Sequence, residues 1–177
     1  MAFAIPHAAA GVYLALFAIA LLACGAPLLV LRRDGPARTA RNMALAAVLI
    51  LPLTGGLGYT MADNELRLED GKLVLRAAHF YEQARPVADF DLARARAGNL
   101  ASIPEARLGV RSDGISLPGY AAGQFAGQGE TVFALLTDRS RVVYLPARTG
   151  PSLLISVEQP ERFLMTLRAG LEPETER

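Results

Sequence analysis

The chain has 177 residues, 52% of them hydrophobic, and its 18 basic and 17 acidic side chains nearly cancel. The charge is divided unevenly, because residues 1–62 carry +3 and residues 63–177 carry −2. A slightly acidic polar region argues against non-specific nucleic-acid binding, which depends on many basic side chains facing phosphates, and the single cysteine, Cys24, excludes an intrachain disulfide.

Two uncharged apolar segments come first in the chain, at residues 8–31 and 42–62. A helix needs about 20 apolar residues to cross the hydrocarbon core of a bilayer, so each segment is long enough to span it. We therefore expect a transmembrane helical hairpin over residues 1–62, with a loop at residues 32–41. The remaining 115 residues are enough for one soluble domain with its own core.

The first segment differs from a cleaved signal peptide in three ways. No Lys or Arg precedes it, it is longer than the usual 7–15 apolar residues, and it ends in Arg32 and Arg33. A lipidated cysteine remains the alternative, because residues 21–24 read Leu-Leu-Ala-Cys, close to a bacterial lipobox. The apolar run continues past Cys24 to Leu31, which favours a membrane helix.

Arginines in the predicted loop set the expected orientation. Short cytoplasmic loops are enriched in Lys and Arg. The loop carries four arginines, the N-terminal tail carries no Lys or Arg, and the flank after the second segment carries three basic residues. The basic residues of the loop and of the flank are, in order, Arg32, Arg33, Arg38 and Arg41, then Arg67, Lys72 and Arg76. We expect a two-pass protein of a bacterial inner (cytoplasmic) membrane, with its C-terminal domain periplasmic or extracytoplasmic.

The polar region opens with a pattern that is typical of a β-hairpin. Apolar residues alternate on both sides of Asp70-Gly71, a dipeptide that favours tight hairpin turns. A third strand is expected at residues 80–87. Residues 91–99 favour a short helix or a loop, and residues 112–114 read as a turn.

Further strands and one helix complete the predicted domain. Four more strands are expected at residues 119–125, 131–137, 142–145 and 153–157, the second and third of these joined by a turn at residues 138–140. The period then becomes helical, with Pro160 near the first turn, Gly170 as a stop and an apolar stripe made of Phe163, Leu164, Leu167 and Leu171. Antiparallel strands followed by one helix match a small β-barrel or sandwich closed by a helix.

Several stretches also resemble the bacterial pleckstrin-homology-like (PH-like) domain family. They are GISLPGY at residues 114–120, GQF at 123–125, LLTDRSRVVYLP at 135–146 and SVEQPERF at 156–163. The resemblance implies an α+β chain in which the hairpin precedes a PH-like antiparallel β-barrel or sandwich at residues 63–171, capped by a C-terminal α-helix. It also implies a scaffold role rather than a reaction. Residues 172–177 form an acidic tail that we expect to be disordered.

The sequence contains no convincing catalytic or metal-binding pattern. His79 is the only histidine of the polar region, so neither a Ser-His-Asp triad nor a zinc site is expected. Gly123–Gly129 lacks the Gly-Lys-Ser/Thr of a phosphate loop, which argues against nucleotide binding. Asp89 and Asp91 offer carboxylates to a hard cation, although solvated side chains are the simpler interpretation.

We therefore predict a membrane-anchored, non-enzymatic PH-like module without a cofactor. Its expected partners are the lipid bilayer and either another protein or a second copy of the chain, and no nucleic acid. The alternative is a module that binds lipid or an anionic headgroup at the membrane surface. The candidate ligands for that headgroup are the basic residues of the first hairpin, Arg67, Lys72 and Arg76.

Overall fold

A computed structural model describes residues 1–170 and begins with a helical hairpin. Helix α1 spans Ala10–Gly25, a 3-10 turn follows at Ala26–Val30, α2 spans Leu31–Asp34 and α3 spans Pro36–Ala62. The predicted loop at residues 32–41 is therefore wrong in extent, since only Gly35 interrupts the helices, at φ 78°. A proline at the first helical position is preorganised for a helix and needs no hydrogen-bond acceptor, which explains why α3 starts at Pro36.

The two helical spans, residues 10–34 and 36–62, are long and apolar enough to cross a membrane. The rest of the described chain leaves almost all of their side chains uncovered. Leu22, Leu29 and Leu53, for example, are each at least 75% exposed. A helix in the core of a soluble domain hides such a surface, so these helices need an apolar environment from outside the chain.

A four-stranded antiparallel sheet follows, in the order β1-β2-β3-β4. Its strands are β1 at Ala2–Phe3, β2 at Glu65–Glu69, β3 at Lys72–Ala77 and β4 at Tyr81–Pro86. The predicted hairpin is confirmed, with Asp70 and Gly71 both at positive φ, as a type I′ turn requires. The predicted third strand is confirmed as β4. The N-terminal β1 lies outside the hairpin and pairs with β2, which the sequence did not indicate.

A six-stranded sheet and a final helix complete the α+β fold. The strands are β5 at Arg96–Gly98, β6 at Arg111–Leu117, β7 at Tyr120–Ala126, β8 at Thr131–Leu136, β9 at Val142–Leu145 and β10 at Ser152–Ser156. Their order in the sheet is β5-β9-β10-β8-β7-β6. The predicted C-terminal helix is confirmed as α4, Pro160–Ala169, with its proline at the first turn. The predicted tail, residues 172–177, lies outside the described residues.

The six-stranded sheet is mixed, so the prediction of purely antiparallel strands is wrong. Strand β10 lies between β8 and β9 and runs parallel to β8. Residues 138–140 form the predicted turn between β8 and β9, but these two strands are not neighbours in the sheet, so the turn is not a hairpin loop. Ser156 stabilises this crossing, because its hydroxyl accepts from the N–H groups of Thr137 and Asp138 and donates to the carbonyl of Asp138. The two sheets of the described residues do not close into a barrel.

Two other stretches differ from the predictions, one in part and one wholly. Residues 92–94 form a turn, as the loop alternative expected, but residues 96–98 form β5 and the helix alternative is wrong. Residues 112–114 belong to β6, with a bulge between Arg111 and Asp113, rather than to a turn. Gly114 faces Gly123 across the ladder, and a Cβ on Gly114 would lie 2.2 Å from the carbonyl oxygen of Ala122. Glycine serves here to let two strands approach each other.

The core has two parts, one on each face of the six-stranded sheet. The inner face, turned toward the four-stranded sheet, packs with Phe163 of α4 and with Val12 and Met61 of the hairpin. The outer face packs under the two 3-10 turns of residues 99–108, through Ile103 and Ala106. Residues alternate between these faces along the central strands, which explains their unbroken apolar character.

Candidate functional site

The last turn of α3 is tied to the loop between β3 and β4. The Asn64 side chain donates to the carbonyl of Met61 at 2.7 Å and accepts from the N–H of Ala78 at 3.0 Å. Beside it, Asp63 Oδ2 lies 2.6 Å from His79 Nδ1. Ala78 and His79 both have positive φ, which fixes the shape of this loop and leaves Phe80 exposed next to the helix end.

The N-terminal tail and the turn between β6 and β7 lie at the same end of the domain as the helical hairpin. The Met1 amine donates to the carbonyl of Leu68 at 2.7 Å, and the N–H of Glu158 donates to the carbonyl of Ala4 at 3.0 Å. A Cβ on Gly119 would lie 2.9 Å from Cγ2 of Val12 in α1. We call this region, where Gly119, Ala4 and the end of α3 lie, the hairpin end of the domain.

The structure brings two of the three predicted basic ligands together. Arg67 and Arg76 line one shallow cavity of about 210 Å³, whereas Lys72 is not part of its lining. Arg67 pairs with Glu65 and Glu69, and Arg76 lies 3.3 Å from Glu82. Hydrogen bonding to Glu65 raises the pKa of Arg67. Three carboxylates thus surround two guanidinium groups, which leaves this cavity with no excess positive charge.

The candidate chemical groups have partners of other kinds. His79 pairs with Asp63, and within residues 1–170 no serine hydroxyl makes a hydrogen bond to it. Asp89 lies 3.6 Å from Arg85, so its carboxylate is partly neutralised. In the part of the chain that the structure describes, no three His, Cys, Asp or Glu side chains gather as metal ligands would.

Buried polar groups on the six-stranded sheet form a clamp at the start of β10. Ser152 donates to Glu130 Oε2 at 2.7 Å and accepts from the N–H of Ala147 at 2.9 Å. The Tyr144 hydroxyl donates to the other oxygen of Glu130. Burial raises the pKa of Tyr144 to about 12, and the hydrogen bond to Glu130 adds to the shift. Because each of these groups makes a hydrogen bond to another part of the fold, we infer that they stabilise the fold.

Strand β6 is the outermost strand of the six-stranded sheet and pairs only with β7. Within residues 1–170, its outer edge takes part in no backbone hydrogen bond with another strand. Ile115 and Leu117 are only half-buried although they pack against the inner core, because no strand covers them beyond β6. At this edge the described fold leaves backbone donors, acceptors and apolar side chains incompletely used.

A second opening lies on the outer face of the same sheet. It is a groove of about 520 Å³ whose floor contains Leu100, Leu108 and Leu136 and whose rim contains Arg107 and Arg139. We call it the arginine groove. Neither of these two guanidinium groups has an ion pair or a side-chain hydrogen bond within residues 1–170.

Sequence reasoning missed both the β6 edge and the arginine groove. The groove joins two segments that lie apart in the chain, residues 99–108 and 136–139, so no local spacing indicates it. The edge depends on strand order, and that order was hidden by the insertion of β10 between β8 and β9. Comparison of the chain with protein-family models, with curated proteins and with solved structures finds no match.

Proposed function

We propose that this chain is a membrane-anchored, non-enzymatic binding module with a PH-like domain, which takes up an extended segment of another protein along β6. The observation that carries this proposal is the outer edge of β6, which within residues 1–170 pairs with no strand and lies beside the half-buried Ile115 and Leu117. An added strand would use main-chain hydrogen bonds for affinity and alternate side chains for specificity. Uncovered apolar helices supply the anchor.

The register of the β6–β7 hairpin identifies which groups would receive that strand. Leu117 and Tyr120 flank a two-residue loop, so they form a hydrogen-bonded pair. Ser116 then belongs to a non-hydrogen-bonded pair with Ala121, and its N–H and C=O point away from β7. The partner segment should carry apolar residues on the side facing Ile115 and Leu117.

A partner protein fits this edge better than a second copy does. The β6–β7 turn lies at the hairpin end, so β6 runs toward the proposed membrane. Two copies anchored in one bilayer would be related by a two-fold axis along the membrane normal. Their β6 strands would then run parallel and present identical edges at the same height, which does not form a hydrogen-bonded ladder.

The first test compares Ser116→Pro with Ser116→Ala in the full chain, each with a photo-crosslinking residue at the exposed Ser112. Proline removes the outward N–H without touching the bond pattern to β7, whereas alanine keeps it. We expect one discrete adduct in cells for the unmodified edge and for Ser116→Ala, and at least a tenfold weaker adduct for Ser116→Pro. An adduct with twice the mass of the chain, or one insensitive to proline, would contradict the proposal.

Orientation is tested separately. The arginines near Gly35 support an orientation in which that end of the helical hairpin is cytoplasmic and the domain lies outside the cytoplasm. A C-terminal alkaline phosphatase fusion should be active, and a C-terminal green fluorescent protein fusion exported through the general secretory route should be dark. The opposite pattern would reverse the orientation without affecting the β6 proposal.

Membership of the PH-like family belongs to this proposal too. Two packed sheets and a C-terminal helix that closes the core support it. The parallel β8–β10 pair departs from an antiparallel PH-like sandwich. The second candidate function is binding of an anionic headgroup. The residues first predicted for it, Arg67, Lys72 and Arg76, lie beside competing carboxylates, whereas Arg107 and Arg139 do not.

A further inference from the structure

We propose that the arginine groove binds the phosphate of an anionic phospholipid from the bilayer that holds the hairpin. Arg107 and Arg139 would hold the phosphodiester, while Leu100, Leu108 and Leu136 would contact the glycerol and the first acyl carbons. This inference rests on the membrane anchoring in the proposed function. It is independent of the β6 edge, which lies at the opposite side of the six-stranded sheet from β5.

Charge separates this groove from the cavity that holds Arg67 and Arg76. That cavity contains three glutamates for its two arginines, whereas the residues lining the arginine groove include no carboxylate. The nearest acidic residue in sequence to Arg139 is Asp138, which is engaged by Ser140 and Arg141. Hydrogen bonding to Ser140 lowers the pKa of Asp138, as expected of an already satisfied carboxylate. An arriving anion therefore meets two guanidinium groups without having to displace a partner.

One wall of the arginine groove lies at the hairpin end of the domain. Leu136 pairs with Ala121, which directly follows the β6–β7 turn that contacts α1. Arg139 follows Leu136 in the connection to β9, and its carbonyl accepts from the N–H of Leu100 at 2.8 Å. Glu158, which bonds to the N-terminal tail, comes from the same end of β10. The strand ends that form this wall therefore face the side on which the bilayer surface would lie.

The chemistry of the lining fits a phospholipid better than a free anion. Guanidinium groups bind phosphate oxygens through paired, charge-assisted hydrogen bonds. A free phosphate would leave the half-buried Leu100 and Leu108 partly exposed, whereas a lipid places apolar carbons next to its phosphate. Two basic side chains near an anionic surface give a preference on the order of tenfold over a zwitterionic lipid.

The absence of tryptophan from the chain allows a local test. Leu108→Trp would place one fluorophore in the groove of the full chain, reconstituted in phosphatidylcholine nanodiscs. Phosphatidylglycerol or phosphatidylcholine with bromines on acyl carbons near the glycerol is then titrated as quencher. We expect half-quenching at a mole fraction about tenfold lower for the anionic lipid. Leu100→Trp repeats the measurement in case tryptophan at 108 disturbs the groove.

Two arginine pairs provide matched controls on that background. Arg107→Gln with Arg139→Gln should abolish the preference, and the two lysine substitutions at the same positions should restore most of it, because lysine keeps the charge. Arg67→Gln with Arg76→Gln removes the same charge elsewhere and should leave the preference unchanged. Equal loss in both glutamine pairs would show a general charge effect and would overturn the proposal.

Further measurements distinguish a lipid from a free anion and show whether the groove proposal or the membrane anchoring has failed. Inorganic phosphate, matched to chloride for ionic strength, should leave the preference intact, and its removal of the preference would assign the groove to a free anion and overturn the lipid. Leu49→Trp on α3 should be quenched by both lipids. If Leu49→Trp is quenched and Leu108→Trp shows no preference, the groove proposal fails while anchoring stands. If Leu49→Trp is not quenched, anchoring itself fails.

Discussion

The two faces of the six-stranded sheet are covered to very different extents. On the inner face, β2, β3, α4 and both ends of the hairpin contribute to one continuous core. On the outer face, the cover that the structure describes within residues 1–170 comes from one segment, residues 99–108. The thick layer fixes the fold, and the thin layer leaves the arginine groove open at its margin. Binding sites are commonly drawn from such less constrained segments, which connect elements of a rigid scaffold.

The largest loss of stability should come from truncating a buried side chain on the inner face. Phe163 is fully buried and its ring meets that of Phe3 edge-on at 4.7 Å between centroids. Phe163→Ala should lower the free energy of unfolding by about 4 kcal/mol, whereas Ile103→Ala on the outer face should cost about 2 kcal/mol, because a surface segment collapses more easily around a cavity. Denaturation of the full chain in detergent measures both.

Met165→Ala provides the control for these substitutions. Met165 lies on the same helix as Phe163 but is 61% exposed, so its truncation should change stability by less than about 0.5 kcal/mol. Equal costs for Phe163→Ala and Ile103→Ala would mean that the two faces contribute alike. That result would remove the basis for calling the outer layer thin.

A smaller loss of stability should come from a substitution at the end of β10, a central strand of the six-stranded sheet. Ser156 at the end of β10 accepts from two backbone N–H groups where the chain leaves β8. Ser156→Ala leaves the donors of Thr137 and Asp138 without that acceptor and should cost about 2 kcal/mol. Faster amide hydrogen exchange at these two residues would locate the effect. Unchanged exchange, or a loss no larger than that of the exposed Ser116→Ala, would contradict the role given to Ser156.

The same comparison explains what the sequence could predict. Local patterns were sufficient to predict the β-hairpin around Asp70-Gly71 and helix α4, because a turn and a helical period each depend on residues close together in the chain. The central strands β8, β9 and β10 were recognised as strands, but not their order. Each strand is buried on both faces and is apolar throughout, so its sequence does not indicate which strand it pairs with or in which direction.

The candidate sites divide in the same way. The proximity of Arg67 and Arg76 follows from one hairpin, so local sequence indicated it, whereas their carboxylate partners became visible only with the register. Arg107 and Arg139 come together through the tertiary fold and had no local signal. The extent of the hairpin loop was misjudged because Arg38 and Arg41 looked like loop residues, although the end of a membrane helix accommodates arginines equally well.

The smallest expected effect compares one buried tyrosine from each face. On the outer face, Tyr144 donates to Glu130, whereas on the inner face the Tyr120 hydroxyl approaches the Asn64 side chain without completing a hydrogen bond of normal geometry within residues 1–170. Burial raises the pKa of both phenols, that of Tyr144 to about 12. An unfolded tyrosine loses its proton near pH 10. Stability from this source is therefore full below pH 10 and declines as the pH rises toward 12, because only the unfolded state releases the proton easily.

Phenylalanine at either position removes the titrating proton and should flatten this alkaline decline. At neutral pH the two substitutions should differ. Tyr144→Phe should cost about 1 kcal/mol for its lost hydrogen bond, while Tyr120→Phe should be neutral or slightly stabilising, because it removes a buried hydroxyl without a partner. Unfolding free energies of the full chain at pH 7 and pH 11 measure both differences. If Tyr120→Phe costs as much as Tyr144→Phe at pH 7, the inner hydroxyl has a partner in solution, such as a bound water, and the two faces satisfy their polar groups equally.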